Sequence, residues 1–150
     1  MQEAEEVVAS YIEREGIKLV IENGNSAFYR PNQDIVSVPE LAQYEVCEEY
    51  YSTLFHELTH STGHAKRLNR DGIVGVHFFG DEGYSKEELV AEMGAAFICN
   101  MLGMDCKKAF KNSVAYIHSW LGALRNDKKM IVMATTKAEQ AANYILNNQK

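Results

Sequence analysis

The chain has 150 residues, 46% of them hydrophobic and 24% charged, with only two prolines, which is the size and make-up of one globular domain spanning 1–150 with material for a real core. Its net charge of −6 argues against broad, non-specific binding to nucleic acid, which needs positive charge to displace counterions from phosphates. Three cysteines, Cys47, Cys99 and Cys106, are odd in number and contain no C-x-x-C pair, so neither a disulfide framework nor a thiolate metal site is expected, and the thiols read as reduced and mostly buried.

From the N-terminus, MQEAEEVVASYIEREG shows no basic stretch followed by a short apolar run, and no segment approaches the ~18 uninterrupted apolar residues of a membrane span. A cytoplasmic protein without membrane contact is the expectation. Ala4, Val7, Val8, Tyr11 and Ile12 fall at helical spacing, and Gly16 closes that first helix. IKLVIENG, SAFYR and DIVSVP are short runs rich in β-branched and aromatic residues, separated by turn chemistry at Gly24-Asn25 and at Pro31 to Asp34, and they predict a small sheet. Pro39 at the end of DIVSVP, unable to donate to a neighbour, marks that run as the candidate edge strand. A second helix is predicted from about Val46 to Ser61, with Tyr50, Leu54 and Leu58 on one flank and Gly63 ending it. Residues 64–84, with four glycines, read as loop. Ser85 to Leu102, Lys108 to Leu124 and Asp127 to Leu146 predict three further helices, so the fold class is α+β, a small β-sheet packed with a helix-rich bundle.

The second helix carries the chemistry. It reads HELTH from His56 to His60, and positions four apart share a helix face, so two imidazoles can point at one ion, the spacing zinc needs for two of its protein ligands. Glu57 between them stands where a metallopeptidase keeps the general base that takes a proton from metal-bound water and passes it to the leaving amine. The other faces of this helix are apolar, so the pair does not belong to a solvated stripe.

A catalytic zinc site needs a third protein ligand. Position 66 is lysine where the pattern H-E-x-x-H-x-x-G-x-x-H would place a histidine, so the third ligand is sought farther along, in YSKEELVAEMGAAF. Glu88 and Glu92 lie one turn apart there, and a glutamate supplied by a later helix resembles the gluzincin arrangement. Ser85 with Glu88 three residues on forms an S-x-x-E capping box, giving Glu88 a role at the helix start. Glu92 lies mid-helix among Leu89, Val90, Met93 and Phe97, where a carboxylate needs a partner to justify burial. Glu92 is therefore preferred as ligand, with Glu88 the alternative or a supporting group. Ala91, Gly94 and Ala95 would let two helices approach closely.

AFYRPNQDIVSVP, YYSTLFHELTHSTGHAKRLNR, YSKEELVAEMGAAF and YIHSWLGALRNDKKMIVMATTKAEQAANYI occur in the order of a known family. Across nearly the whole chain, from about Ile17 to Ile145, the sequence resembles the C-terminal zincin-like metallopeptidase domain of the antirestriction protein ArdC and related plasmid and phage polyvalent proteins. The resemblance implies one Zn2+ per chain, held by His56, His60 and a glutamate of EELVAE, with Glu57 as general base in peptide hydrolysis. It also implies a setting in antirestriction by a mobile element, with DNA contact supplied by an N-terminal single-stranded DNA-binding region or a separate partner. A binding module stabilised by metal, acting in antirestriction on DNA or a restriction enzyme without appreciable proteolysis, is the alternative function. His64 and Arg67, with Arg70 beside them, become candidate contacts to substrate, against a structural reading in which the two arginines pair with acids of the N-terminal half. His77 and Tyr84 of the glycine-rich loop are candidates for stabilising the transition state, against plain packing. Tyr116, Trp120 and Leu124 recur at helical spacing and read as core, and His118 falls off that face, exposed.

Overall fold

The computed structural model describes residues 1–105, 114–115, 117–122, 124–125 and 127–147. Helix α1 (Gln2–Glu15) is followed by β1 (Lys18–Glu22), β2 (Phe28–Arg30), β3 (Ile35–Pro39) and a 3-10 turn (Leu41–Gln43). Then come α2 (Cys47–Ser61), a short α3 (Asp71–Val74), α4 (Glu82–Met101) and α5 (Lys128–Leu146). Residues 114–115 and 117–122 are also helical. The predicted helix from Lys108 to Leu124 falls partly outside the described residues, as do Cys106 and Tyr116.

Gly16 takes a left-handed φ of 70° and its amide returns to the Ile12 carbonyl, so α1 stops where the sequence says it should. The three strands form one sheet in the order β1-β3-β2, with β1 parallel and β2 antiparallel to β3. The predicted edge strand is thus the central one. Pro39 is tolerated because it is the last residue of β3, paired with the last residue of β1, where no further ladder bond is required of it. Strand β2 is the edge that runs beside the α2 helix.

Helix α2 is the axis of the core: Leu54, Phe55 and Leu58 are fully buried, against Val36 and Val38 of β3 on one side and Ala95 and Ile98 of α4 on the other. Its contact with α4 is unusually close, since a Cβ on Gly94 would lie 2.6 Å from Thr59 Cγ2. That is the close approach the Ala91-Gly94-Ala95 run allows. Helix α5 packs along α4 through Ala134 and Ala138, small side chains again at the seam. Helix α2 ends at Ser61 rather than on a left-handed glycine: its cap, Thr62, is right-handed, and Gly63 is needed for space, because a Cβ there would lie 2.5 Å from Ile73 Cγ1. The region 64–84 is not all loop. It includes α3, and α4 begins at Glu82, one turn before Ser85, with the Asp81 carboxylate accepting from the Tyr84 amide. The Ser85–Glu88 capping box is therefore absent. Ser85 is buried inside the helix, and Asp81 does the capping instead.

Arg67 ties the N-terminal half to the end of α2. Its side chain is fully buried, and the guanidinium spends all its donors on Glu15 Oε1, the Glu15 carbonyl, both Asp34 carboxylate oxygens and the Ser61 carbonyl. Asp34 sits in the β2–β3 turn at φ 54°, where it also accepts from Tyr29 Oη. Burial would raise the Asp34 carboxyl, but its hydrogen bonds from Arg67, Tyr29 and Lys66 outweigh that and hold it well below the usual carboxylate range. A carboxyl depressed on folding contributes stability that is complete above its unfolded value of about 4 and is lost as pH falls through the folded value.

Two outcomes follow for stability. Arg67→Met removes the buried cation shared by two half-buried carboxylates and five hydrogen bonds, and is expected to cost about 3 kcal/mol in urea denaturation at pH 7, while Asp34→Asn removes the part of the stability that the wild type loses on acidification below about pH 4. Gly94→Ala is expected to cost roughly 1–3 kcal/mol by forcing α4 off α2, and Thr59→Ala added to it should recover part of that loss in a double-mutant cycle.

Candidate functional site

The α2–α4 contact lays the HELTH face of one helix against the EELVAE face of the other, at the bottom of a cavity of about 710 Å³. His60 and Glu57 are buried, His56 half-buried. The two rings lie 4.9 Å apart between centroids and nearly perpendicular, and one donor atom each from His56, Glu57 and His60 lies within 4.8 Å of the others. Each Nε2 faces the same carboxylate: Glu88 Oε2 is 3.3 Å from His56 Nε2 and Glu88 Oε1 is 3.0 Å from His60 Nε2. Each Nδ1 meets a different one: His56 Nδ1 lies 2.8 Å from Glu92 Oε1, and His60 Nδ1 lies 2.8 Å from Glu87 Oε2. Glu57 Oε2 stands 3.9 Å from His56 Nε2.

Behind His60 the network continues. Glu87 is buried and bridges to Arg70, which donates to both of its oxygens, at 2.8 Å from Nε and 3.0 Å from Nη2. Arg70 further donates to Thr62 Oγ1 and to the Thr59 carbonyl, so the end of α2 and the start of α4 are clamped by one buried guanidinium. The space is filled tightly. A Cβ on Gly72 would lie 2.6 Å from Glu87 Cβ.

Four carboxylates around two imidazoles make a strongly electronegative spot. Burial opposes the charged imidazoles, but Glu88 and Glu92 hold His56 well above the usual histidine range, and Glu87 and Glu88 push His60 up to about 9. Burial would raise Glu87 and Glu88 as well, yet their histidine contacts, with Arg70 for Glu87, keep both below the usual carboxylate range. Glu57 has no direct hydrogen bond to offset its burial, which raises it despite the two imidazoles. The arrangement favours positive charge at the Nε2 side of the rings. A divalent cation satisfies that demand as well as protons do, and the residues fit one: two neutral imidazoles whose Nδ1–H groups are each held by a carboxylate, and a third carboxylate at both Nε2 atoms.

The remaining candidates divide. Tyr84 lines the cavity, its ring packed between Phe79 and Trp120. His64, Arg67 and His77 do not line it. His64 accepts from the Lys66 amide through Nδ1, Arg67 is consumed by Glu15 and Asp34, and His77 Nε2 bonds the Asp71 carbonyl, with Nδ1 near Asp81. Arg70 pairs with Glu87 of α4 and not with the N-terminal acids. Trp120 is half-buried at the cavity wall, whereas Leu124 is core and His118 is exposed. The sequence reading missed Glu87, Tyr44 and the β2 residues Phe28 and Tyr29, which are also among the lining residues. Glu87 had a signal: it is the neighbour of Glu88 in a helix where two acids in a row are otherwise hard to bury.

The chain matches the family model described as zincin-like metallopeptidase over residues 4–137. It is 41% identical over 123 residues to DNA primase TraC of Escherichia coli, covering 82% of this chain and 8% of that protein. It is 39% identical over 122 residues to the uncharacterized protein y4eC of Sinorhizobium fredii, covering 81% and 38%. Among solved structures it superposes on the Mn(II)-bound antirestriction protein ArdC of plasmid R388 with a TM-score of 0.75 at 35% identity, covering 99% of this chain and 52% of ArdC. The metal-free ArdC structure gives a TM-score of 0.71 at 34% identity. The chain thus spans less than a tenth of the primase and about half of ArdC. Among the described residues, no helix is long and apolar enough to cross a membrane.

The shared carboxylate at Arg70 separates structural from peripheral acids. Glu87→Gln removes the counter-charge of a buried guanidinium and is expected to cost about 3 kcal/mol in thermal or urea unfolding, whereas Glu92→Gln, which touches only the half-buried His56, should cost less than about 1 kcal/mol.

Proposed function

The chain belongs to the zincin-like metallopeptidase family, and from that premise we propose that its cavity holds one divalent metal ion, zinc in the cell, and hydrolyses a peptide bond in a protein substrate. The observation that carries this reading is the convergence of His56 Nε2 and His60 Nε2 on one carboxylate while each Nδ1 is held by another. His56, His60 and Glu88 would be the ligands. Glu88 is favoured over Glu92, against the order inferred from sequence, because Glu88 spans both Nε2 atoms and Glu92 reaches only the opposite nitrogen of His56. Glu92 and Glu87 would then orient the two rings and fix their tautomers. Bound there, the metal would supply a Lewis acid and a water of lowered pKa.

Glu57 stands 3.9 Å from His56 Nε2, near the paired imidazoles but beyond hydrogen-bond distance, which supports a role as proton acceptor beside the ligands rather than as one of them. In that role its carboxylate takes a proton from the attacking water and delivers it to the amine of the leaving peptide. Tyr84, on the cavity wall, is the candidate donor to the developing oxyanion. His64, Arg67 and His77 are given no part in the reaction. The edge strand β2, with Phe28 and Tyr29 on the cavity wall, would pair with an extended peptide backbone.

A second reading has its own support: the relatives are named for antirestriction and for DNA priming, not for proteolysis. In it the same metal stabilises a binding module that acts in antirestriction through DNA or a restriction enzyme. Retention of Glu57 favours hydrolysis, since metal binding alone needs no base. The two readings share a setting in a mobile element's defence against restriction.

Elemental analysis of the wild type, Glu88→Gln and Glu92→Gln tests the ligand set. About one zinc per wild-type chain, lost in Glu88→Gln and bound about 10–100-fold more weakly in Glu92→Gln, is expected; loss mainly in Glu92→Gln would restore the other assignment. Cleavage of an unfolded protein such as casein that disappears in Glu57→Gln with its metal still bound would support hydrolysis, and full antirestriction by that variant would favour the binding module.

A further inference from the structure

Two aromatic rings of the cavity wall, and a third just outside it, are in tilted or edge-to-face contact in series. Phe79, Tyr84 and Trp120 come from the loop before α4, from the first turn of α4 and from the helical residues 117–122, three places far apart in sequence. Their ring centroids are 5.3 Å apart from Phe79 to Tyr84 and 5.6 Å from Tyr84 to Trp120. Tyr84 and Trp120 face the cavity that holds His56 and His60. At the outer end of the series Phe79 is 86% exposed and its neighbour Phe78 76%, in a loop bounded by Gly75 and by Gly80 at φ 84°. Large apolar side chains left this exposed beside a concave site commonly mark where a partner's apolar group comes to rest.

The other walls define what that partner can be. The described lining includes five glutamates, Glu49, Glu57, Glu87, Glu88 and Glu92, and no lysine or arginine. Such a cavity repels phosphates and acidic side chains, so a nucleic acid is not its ligand even though aromatic rings can stack on bases. From the row of contacting rings, its continuity with the histidine site and the anionic lining, we propose that Phe79, Tyr84 and Trp120 form a specificity subsite for a large apolar side chain, aromatic or aliphatic, of an uncharged or basic peptide segment bound beside the paired histidines. The inference builds on the peptidase reading and gives it a substrate class. A buried Phe or Leu would lie against Tyr84 and Trp120, with the loop at Phe79 covering its outer side.

Trp120 is the only tryptophan of the chain, so its emission reports on this wall directly. The test titrates the full chain with blocked tripeptide amides of the form acetyl-Gly-X-Gly-amide, with X as Phe, Leu, Gly, Lys or Glu, and with oligothymidylate, following Trp120 fluorescence. Phe and Leu peptides should bind about tenfold or more tighter than the Gly peptide, as burial of a large apolar side chain requires. The Glu peptide and the oligonucleotide should give the weakest response. Tyr84→Ser should abolish the preference. Phe79→Ser, at a position too exposed to support the core, should reduce it with the melting temperature unchanged. Equal binding of the Phe and Gly peptides, a preference for Glu or for oligothymidylate, or a preference that survives both substitutions would overturn the proposal. The outcome is independent of catalysis: absence of casein cleavage would count against the peptidase reading alone, and flat tripeptide binding in a protein that cleaves casein would count against the subsite alone.

Discussion

The site depends on how close α4 can come to α2. Gly94 lets Thr59 approach to a distance that no Cβ would permit, and this contact lies next to His60 and one turn from His56 on one helix, and two residues from Glu92 on the other. Because the two helices pack along one seam, the register set there determines which carboxylate meets which nitrogen. A glycine with no chemistry of its own thus decides the geometry of groups that have a great deal. Ala134 and Ala138 of α5, facing α4, repeat the same device, so the layer holding the acids is pinned from both sides.

The carboxylates around the histidines show how an interior tolerates so much charge. Glu87 is acceptable because Arg70 and His60 share it, Glu88 because both imidazoles reach it, and Glu92 because it is only partly enclosed. Removing Glu87, Glu88 or Arg70 leaves another group stranded, which makes that part of the cluster cooperative rather than a sum of pairs. Arg67 and Arg70, three residues apart in one segment, divide the labour. One secures α2 to the N-terminal half through Glu15 and Asp34, and the other secures it to α4.

The histidine helix was legible because periodicity and motif coincide: apolar residues at helical spacing place His56 and His60 on one face whatever surrounds them. The choice between Glu88 and Glu92 was not legible. They lie one turn apart on the same face, and only the tertiary contact tells which faces Nε2 and which faces Nδ1. The Ser85 capping box did not form because Asp81, four residues earlier, offered a better cap and let α4 begin sooner. The sheet was legible in its segments and not in its order. Pairing of β1 with β3 in parallel links residues some seventeen apart, from Lys18 with Ile35 to Glu22 with Pro39, and no local pattern announces it. Arg67's partners could be named only as a class, acids of the N-terminal half, until the turn at Asp34 was seen to bring one of them within reach.

Gly63 and Gly72 have a consequence for where this architecture can vary. Both sit where any side chain would collide with Ile73 or Glu87, so the segment between the end of α2 and α3 has a fixed length and a fixed path. Four residues past Gly72 the opposite holds: Val76, Phe78 and Phe79 protrude into solvent and Gly80 makes the turn without touching anything. Insertions and sequence drift belong in that second stretch, where the side chains are exposed and the backbone bonds only within the loop and to its flanks. A lineage could therefore remodel what approaches the cavity mouth while the seating of the histidines and their acids remained untouched.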